Sequence, residues 1–572
     1  MKRGIKKTVA ACCIALMLLS GCTKSAGTES ADTKDTVSDL TEQGENLSDT
    51  DEDTAEDTDS MFTDRDKEVG YDENECTAIQ LSDDGSSCDS QSVSIEGQTV
   101  TITEEGTYLL SGSLSDGSVV IHTDENVKVR LILNGVSINS SSSAAIYVKS
   151  ADKVFITLAP DTENVLSNGG TYETVDDNNI DSVIFSKADL TLNGSGSLKV
   201  TAKEGHGVVS KDDLVITGGT YNIEAANQGL SGKDSIRILD GDFTVTAGKD
   251  ALHAENEDDK EKGFVYIAGG TFALASSGDG ISASGDMTLL DGTYTITAGG
   301  GSENGEDHQE ESETTDEGEA SETTSTKGIK ANGSLAVSGG TYTIYAADDG
   351  FHSNSDIAIS GGILTIASGD DGIHADGQVT VSDGTIVISE SYEGIEGSEK
   401  VLIAGGRITL TSDDDGLNSA AVEISGGHTE IDAEGDGIDS NGTFTVSGGE
   451  TYVSGPVGDG NGALDYETDA VITGGILIAA GSSGMAVNFG EKSTQGSILL
   501  NTGSQEAETD IVLADASGTE LLCWQSSKNY ASVVISCPEI LQGESYTIKA
   551  GTSETTVTMD SLIYGVGNSM GR

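Results

Sequence analysis

A glycine pair that returns about every 22 residues constrains this chain more than any other feature. The second glycine of each Gly-Gly or Asp-Gly pair is Gly219, Gly241, Gly270, Gly292, Gly340, Gly362, Gly384, Gly406, Gly427, Gly449 or Gly475. From Gly340 to Gly449 the intervals are 22, 22, 22, 21 and 22 residues. This period fits neither a nine-residue calcium repeat nor a propeller blade of about 40 residues. It indicates a solenoid in which each coil packs on its neighbours.

Apolar residues keep fixed positions within each coil. Five and three residues before the second glycine lie Leu335 and Val337, Ile357 and Ile359, Val379 and Val381, Val401 and Ile403, and Val422 and Ile424. Two and four residues after it lie Tyr342 and Ile344, Leu364 and Ile366, Ile386 and Ile388, and Ile408 and Leu410. Eleven residues after it lie Leu230, Leu252, Ile281, Phe351, Ile373, Ile395, Leu417 and Ile438. Alternation with period two predicts short strands with one face inward.

Three short strands per coil, stacked in register, predict an all-β fold: a right-handed, single-stranded parallel β-helix. We assign residues 92–490 to this β-helix and residues 491–572 to a small C-terminal β cap, because exposed strand edges at a solenoid end need cover. The glycine pairs mark bends with backbone angles that only glycine adopts at low cost. An acidic stretch at about 300–326 interrupts the repeat as a disordered insertion.

A column of aromatic residues follows the glycines of the earlier coils. Its members are Tyr221, Phe243, Phe272, Tyr294 and Tyr342. Their parity matches the inward Ile and Val positions, so we expect an internal ladder, with an external platform for stacking sugars as the alternative. Trp524, the only tryptophan, lies in the predicted cap and is either a core anchor or a sugar contact.

The N-terminus predicts export and a lipid anchor. Basic residues precede an apolar run, Thr8 to Leu19, that is too short to span a membrane as a stable helix. Leu19-Ser20-Gly21-Cys22 follows directly and matches the lipobox of bacterial lipoproteins. We therefore predict a signal peptide over residues 1–21, lipidation of Cys22, and a position on the extracellular face of the cell membrane.

The next segment is strongly acidic. Residues 22–91 are rich in Asp, Glu, Ser and Thr, which predicts a disordered tether. The formal charge of the whole chain is -68, which argues against nucleic acid as a partner because polyphosphate would be repelled. We expect a monomer.

Four cysteines follow Cys22 and permit two local disulfides. The pairs would be Cys76–Cys88 and Cys523–Cys537, one on each side of the repeat region. The alternative is four free thiols. With so few cysteines, the core of this chain must come from packing in either case.

An acidic column lies nine residues after the second glycine. Its members are Asp250, Asp279, Asp349, Asp371, Glu393, Asp415 and Asp436. Asp-Gly is a common turn pair, which explains one acid per coil. It does not explain the extra acids Asp348, Asp370, Asp413 and Asp414, nor the polar residues three positions after the main acid, which are His352, His374, Glu396, Asn418 and Asp439.

Carboxylates stacked ~4.8 Å apart repel one another by roughly 3 kcal/mol per pair at an effective dielectric constant of about 20. The column must therefore hold protons or cations, or splay its carboxylates into water. Oxygen ligands without thiolates favour calcium. The candidate calcium ligands are Asp279, Asp349, Asp370, Asp371, Glu393, Glu396, Asp414, Asp415, Asp436 and Asp439.

Catalytic motifs are scarce. His206, His352 and His374 lack an evident nucleophile or partner, and stacked His352 and His374 would simply cover the side of the solenoid. Lys327 replaces the acid in its own coil, directly before Gly328 and Ile329. By position it is the best candidate for a general base.

Several segments together resemble a known family. They are Gly106 to Gly112 (GTYLLSG), Val129 to Val136 (VRLILNGV), Ala144 to Tyr147 (AAIY) and the Asp-Gly-Ile/Leu coils. Over Ser92 to Arg572 the chain resembles the carbohydrate-binding domain family first described in a cellulolytic clostridium. The resemblance implies a pectate-lyase-like β-helix, bound calcium, and binding of cellulose and acidic sugars such as polygalacturonate without established catalysis.

Three functions therefore compete at the level of sequence. The first is non-catalytic polysaccharide binding by a calcium-stabilised lipoprotein, which we prefer. The second is a calcium-dependent polysaccharide lyase, for which Lys327 would be the base. The third is an adhesin or structural stalk.

Overall fold

The predicted parallel β-helix is confirmed. A computed structural model describes residues 58–170, 172, 179–305 and 325–565, and in it parallel coils stack into a β-solenoid of about 15 turns. Helix within the described ranges amounts to Thr58–Met61 and a 3₁₀ turn at Ser302–Asn304. None of the described helices is long and apolar enough to cross a membrane.

Each coil contributes one strand to each of three parallel sheets. Sheet 1 holds the strands that precede the glycine pairs, sheet 2 those that follow them, and sheet 3 those that follow the acidic column. Sheet 1 comprises Thr77–Leu81, Gly106–Leu114, Lys128–Ser140, Lys153–Leu158, Asp189–Gly194, Asp213–Ile216, Ser235–Ile238, Phe264–Ile267, Met287–Leu289, Leu335–Val337, Ile357–Ile359, Gln378–Val381, Lys400–Ile403, Leu417–Ile424, Ile438–Val446 and Asp469–Ile472.

Sheets 2 and 3 complete the coils. Sheet 2 comprises Glu163–Asn168, Ser197–Ala202, Thr220–Ala225, Asp242–Ala247, Thr271–Ser276, Thr293–Ala298, Thr341–Ala346, Ile363–Ser368, Thr385–Glu390, Arg407–Ser412, His428–Ala433, Glu450–Ser454 and Ile476–Gly481. Sheet 3 comprises Thr99–Ile102, Ser118–His122, Ile146–Ser150, Ser182–Ser186, His206–Ser210, Leu230–Gly232, Leu252–Ala254, Ile281–Ala283, Ile329–Ala331, Phe351–Ser353, Ile373–Ala375, Ile395–Gly397 and Asp465–Tyr466. Val93–Glu96 pairs antiparallel with Thr99–Ile102 at the start of sheet 3.

Four long strands turn a corner and belong to two sheets. Gly106–Leu114 and Lys128–Ser140 run on from sheet 1 into sheet 2, where the end of the second pairs with Glu163–Asn168. Leu417–Ile424 and Ile438–Val446 begin in sheet 3 and end in sheet 1. These corners join the three faces into one continuous hydrogen-bonded system.

The register inferred from the repeat is the register of the structure. Tyr342 pairs with Tyr294 in the coil before and with Leu364 in the coil after, and Phe351 pairs likewise with Ile329 and Ile373. All residues of the three predicted inward columns are at most 1% exposed. Equivalent apolar side chains therefore stack on one another along the solenoid and form its core.

Two kinds of glycine shape each coil. The second glycines of the pairs have φ between 77° and 144°, as predicted for bends that favour glycine. The glycine after the main acid is needed for a different reason. A Cβ added to Gly350 would lie 2.6 Å from the carbonyl oxygen of Gly372 in the next coil. That turn is glycine because successive coils approach closely there.

The aromatic column is an internal ladder. Its five rings are at most 2% exposed, and successive ring centroids lie 5.2, 4.8, 4.7 and 4.5 Å apart with interplanar angles of 14° or less. These spacings follow the strand spacing, because each ring sits on its counterpart in the coil below. The alternative of an external sugar platform at these residues is wrong.

A segment predicted to be disordered packs on the outside of sheet 1. Residues 58–70, which we call the strap, bury Phe62 against Val215 and Tyr266. The carboxylate of Asp66 is buried, pairs with Lys153 Nζ at 2.8 Å and accepts a hydrogen bond from Thr191 at 2.6 Å. The guanidinium of Arg130 donates to the carbonyl oxygens of Glu68 and Gly70, both at 2.8 Å.

The tether predicted over residues 22–91 is therefore wrong for residues 58–91. Thr77–Leu81 is the first strand of sheet 1 and pairs with Gly106–Leu114. Acidic composition concealed the strap, because its buried side chains Phe62 and Asp66 contact residues of the solenoid that lie more than 80 positions away in sequence. The signal peptide over 1–21, lipidation of Cys22, residues 22–57 of the predicted tether and residues 306–324 of the insertion predicted at about 300–326 lie outside the described residues.

The two predicted disulfides are not formed. Cys76, Cys88, Cys523 and Cys537 are all free thiols. Cys523 is exposed on a strand that pairs with Asp510–Asp515, whereas Cys537 is buried in the core of the cap. The thiol of Cys76 donates instead to the carbonyl oxygen of Asp72 at 3.2 Å.

The C-terminal cap is built from antiparallel strands, except that Ile563–Tyr564 pairs parallel with Ser497–Gln505. Its strands are Ser497–Gln505, Asp510–Asp515, Glu520–Gln525, Tyr530–Ser536, Ser545–Ala550, Ser553–Thr558 and Ile563–Tyr564. Tyr530–Ser536 pairs antiparallel with Ile476–Gly481, the last strand of sheet 2, and so closes that edge. Trp524 stacks on Tyr452 of sheet 2 with a centroid distance of 5.8 Å, which anchors the cap to the solenoid.

Removing the Asp66 carboxylate is expected to release the strap. In Asp66→Ala the Lys153 ammonium, only 10% exposed, loses its partner, a change that typically costs about 3 kcal/mol. Amide hydrogens of residues 58–70 should then exchange about 100-fold faster. Glu68→Ala is the control, since its carboxylate is 61% exposed and lies 3.8 Å from Arg130. Equal exchange rates in the two variants would contradict the assigned role of Asp66.

Candidate functional site

The acidic column lies at the turn between sheets 2 and 3. We call this column, together with Lys327, the ladder. In order along the solenoid its residues are Asp250, Asp279, Lys327, Asp349, Asp371, Glu393, Asp415 and Asp436. Each stands two residues before an inward residue of sheet 3, such as Phe351 after Asp349. The parallel register therefore places their side chains directly above one another.

One oxygen of each aspartate in the ladder binds the backbone of the next coil. Oδ1 of Asp349 accepts the N–H of Asp371 at 3.1 Å, and Oδ1 of Asp371 accepts the N–H of Glu393 at 3.2 Å. Equivalent bonds are made by Asp250 at 2.9 Å, Asp279 at 2.8 Å, Asp415 at 2.6 Å and Asp436 at 2.5 Å. These carboxylates join adjacent coils through Oδ1 and leave Oδ2 for other partners.

For Asp250, Asp349 and Asp371 a histidine in the outer column of sheet 3, three residues after the ladder residue, contacts Oδ2. This column reads His253, Ser282, Lys330, His352, His374, Glu396, Asn418 and Asp439. It changes from basic and neutral residues in the earlier coils to acids and an amide in the later ones. The electrostatic environment of the carboxylates therefore changes along the ladder.

In the middle coils the protein supplies its own cations. Lys327 Nζ lies 2.7 Å from Asp348 Oδ1 and 2.7 Å from Asp349 Oδ2, and His352 Nδ1 lies 2.7 Å from the same Asp349 oxygen. Burial alone would raise the pKa of Asp349, but the bonds from His352 and Lys327 hold it at about 2. Burial would lower the pKa of Lys327, but Asp349 and Asp348 raise it to about 12. The carboxylates of Asp348, Asp349 and Asp370 lie within 4.8 Å of one another. The ammonium of Lys327 contacts two of them and so places a positive charge beside this cluster.

One coil further on, an imidazole joins two carboxylates. His374 Nδ1 lies 2.9 Å from Asp371 Oδ2 and 2.5 Å from Glu396 Oε2. His352 and His374 stack as the sequence suggested, with centroids 5.0 Å apart and rings 8° from parallel. The cluster of Asp371, His374 and Glu396 combines one nitrogen donor with two oxygen donors.

In the later coils the converging donors are all oxygens. Carboxylate oxygens of Asp415, Asp436 and Asp439 lie within 4.8 Å of one another, and all three residues are partly exposed. Burial and the neighbouring carboxylates raise the pKa values of Asp415 and Asp436 to about 7. This oxygen cluster can lower its own repulsion either by binding protons or by binding a hard cation.

Seven of the ten candidate calcium ligands fall in these clusters. They are Asp349, Asp370, Asp371, Glu396, Asp415, Asp436 and Asp439. Asp279, Glu393 and Asp414 lie outside the clusters. Asp279 accepts hydrogen bonds from Ser325 and Lys327, and Glu393 accepts two from the amide of Asn418, each at 3.0 Å. His374 was not among the candidate calcium ligands, although its position three residues after Asp371 places its ring beside that carboxylate.

The chain is similar to a curated relative and to a solved structure. A protein of Acetivibrio thermocellus described as "Carbohydrate-binding domain-containing protein" is 38% identical over 135 residues, which is 23% of this chain and 47% of that relative. The matched segment therefore spans about half the length of the relative. A solved structure, the polysaccharide lyase-like protein from C. thermocellum as a gadolinium derivative, is 35% identical and covers 39% of this chain and 92% of its own, with a TM-score of 0.39.

The family comparison covers most of the solenoid and the cap. The family described as "Carbohydrate-binding domain-containing protein" matches residues 96–372 and 370–561, which together are well over half of the chain. Both matches fall within Ser92 to Arg572, the range over which the sequence motifs resembled this family. The chain belongs to the carbohydrate-binding domain-containing protein family.

Proposed function

We propose that this chain is a non-catalytic polysaccharide-binding protein whose later coils hold calcium beside the glycan. Cellulose and acidic plant or cell-wall glycans are the proposed ligands. The observation that carries the proposal is the oxygen cluster of Asp415, Asp436 and Asp439, which opens onto the outer face of sheet 3 in a chain of a carbohydrate-binding family. Calcium there would both neutralise the ladder and bridge to the carboxylate of a uronic acid.

The oxygen cluster fits calcium by its donor set. Calcium takes six to eight oxygen ligands and tolerates irregular geometry, so three carboxylates leave positions for water and sugar oxygens. Asp415 and Asp436 are each held through Oδ1 by a backbone N–H, which orients their second oxygens before any ion binds. Bound calcium would supply the positive charge that Lys327 supplies to Asp348 and Asp349 in the earlier coils.

The state of Lys327 supports binding without catalysis. A lyase needs a neutral base to remove the proton beside the uronate carboxyl group. Lys327 is paired with two aspartates and its pKa is about 12, so it is protonated at neutral pH. Its side chain is also only 13% exposed. The residue best placed by sequence to be a base therefore acts in the structure as a counterion.

We also propose that the chain is displayed on the outer face of the cell membrane by lipid attached to Cys22. The Leu19-Ser20-Gly21-Cys22 sequence after a basic and apolar leader supports this.

Calcium is expected to stabilise the folded chain through the oxygen cluster. In EDTA the melting temperature should fall as the pH rises from about 4 to about 7, because Asp415 and Asp436 have raised pKa values and lose their protons over this range. Saturating calcium should remove this fall and, at 100 times its Kd, stabilise the fold by about 2.7 kcal/mol.

Two matched variants test whether the calcium-dependent stabilisation comes from the oxygen cluster or from other residues of the ladder. Asp436→Asn should lose most of the calcium-dependent rise in melting temperature while its Oδ1 still accepts the N–H of Gly462. Asp279→Asn should keep the rise, because Asp279 lies outside the clusters. If EDTA leaves the wild-type melting temperature unchanged, the cluster is a solvated surface and the calcium proposal fails.

Binding to cellulose and polygalacturonate should occur without cleavage. Pull-down on either polymer, with and without calcium, tests retention, and ultraviolet absorbance tests for an unsaturated product. We expect retention and no absorbance change. Absorbance that is abolished in Lys327→Ala and kept in Lys330→Ala would instead establish a lyase. Failure to bind either polymer, together with retention on glycoproteins or cells, would indicate an adhesin.

The lipid anchor predicts incorporation of a fatty acid at one residue. Cells that express the full chain and are fed an alkyne fatty acid should label the wild type and not Cys22→Ser. Cys76→Ser, which changes another thiol of the chain, should label like the wild type. Equal labelling of wild type and Cys22→Ser would exclude anchoring at this residue.

A further inference from the structure

We propose that Asp371, His374 and Glu396 form a second metal site, selective for a first-row transition ion such as zinc over calcium. The site is distinct from the oxygen cluster of the later coils and does not depend on polysaccharide binding. The three residues come from two successive coils, with Asp371 on the ladder and His374 and Glu396 neighbours in the outer column of sheet 3.

The donor atoms already converge. His374 Nδ1 lies 2.9 Å from Asp371 Oδ2 and 2.5 Å from Glu396 Oε2, and all three donors fall within 4.8 Å of one another. Ligands about 2.0–2.1 Å from a tetrahedral zinc ion lie about 3.3 Å apart. The side chains would therefore need to separate by less than about 1 Å to admit the ion.

Two of the three donors, those of His374 and Asp371, are oriented by a further contact. His374 Nε2 lies 3.4 Å from Asp376 Oδ1, the carboxylate–histidine arrangement that commonly fixes a metal-bound imidazole. The His352 ring stacks on His374 and sets its plane. Asp371 is held through Oδ1 by the N–H of Glu393, which leaves Oδ2 facing the imidazole. These contacts hold ligand atoms in place and are the kind of support that metal ligands have.

The pair of Asp371 and His374 differs from the similar pair of Asp250 and His253. His253 pairs with Asp250 at 2.7 Å and with Glu255 at 3.1 Å, closely resembling His374 with Asp371 and Asp376. The next coil, however, places Ser282 beside His253, whereas it places Glu396 beside His374. Of the three clusters found among the described residues, the one at His374 alone contains a nitrogen donor.

The donor set selects the class of ion. Calcium prefers a shell of oxygens, whereas imidazole suits zinc, copper, iron and nickel. Two carboxylates balance the charge of a divalent ion, and the imidazole releases its Nδ1 proton when the ion binds. The side chains of His374 and Glu396 are 20% and 24% exposed, so the ion has a route from solvent and a position for a further ligand. Zinc is the default because it accepts mixed nitrogen and oxygen ligands with one site left open.

Isothermal titration of the tag-free full chain with zinc chloride tests the proposal, with cobalt(II) absorbance as a report on nitrogen coordination. We expect one zinc site that a large excess of calcium does not displace. His374→Ala should abolish it, and Asp376→Asn should weaken it 10- to 100-fold. His253→Ala is the matched control and should bind zinc like the wild type, and the four free thiols are common to every variant.

Glu396→Gln guards against misfolding, because the amide oxygen can still accept a hydrogen bond from His374 while the second carboxylate charge is lost. This variant should fold and bind zinc more weakly. Undiminished zinc affinity in His374→Ala, an equal loss in His253→Ala, or displacement of zinc by equimolar calcium would each overturn the proposal. Calcium-dependent stabilisation through Asp436 is a separate measurement, so either site can fail without the other.

Discussion

Parallel stacking in register is the constraint on which the rest of this structure depends. Every side chain lies above its counterpart one coil away, at the ~4.8 Å spacing of strands. For Ile, Val and aromatic residues this repetition is favourable, because like shapes pack closely and exclude water. The aromatic column from Tyr221 to Tyr342 shows the result, because its nearly parallel rings lie 4.5–5.2 Å apart. For carboxylates the same repetition is unfavourable, since each charge faces a like charge.

Carboxylates recur along the ladder because they accept hydrogen bonds from the backbone of the next coil. Through Oδ1 the aspartates accept a backbone N–H from the next coil, and so satisfy a donor at a turn where the sheet hydrogen bonds are interrupted. That contact explains an acid at this position in coil after coil. The remaining charge is lowered in three ways along the ladder: by the ammonium of Lys327, by imidazoles such as His374, and by the raised pKa of Asp436, which favours a bound proton.

The features that recur in successive coils could be predicted from the sequence. The coil length, the three inward columns, the aromatic ladder and the position of the acids all follow from a period that each coil restates. The strap could not be predicted this way, because Asp66 meets Lys153 and Thr191 only through contacts between distant segments that occur once. Lys327 was noticed as an exception to the acidic column, but its role as a counterion depends on Asp348 and Asp349 lying one coil away in space. The number of cysteines likewise could not predict that Cys523 is exposed on a strand and that Cys537 is buried in the core of the cap.

The change in composition along the outer column of sheet 3 gives the ladder a direction. Histidines and a lysine stand beside the acids in the earlier coils, and Glu396, Asn418 and Asp439 stand beside them in the later ones. An internal cation is covalently fixed and cannot be exchanged, whereas a cation drawn from solvent binds only when it is present and can be shared with a ligand. Beside Lys327 the neutralising charge is therefore always supplied by the chain itself. The later coils depend on solution conditions, and this half of the face is where an external anion could be held through a shared cation.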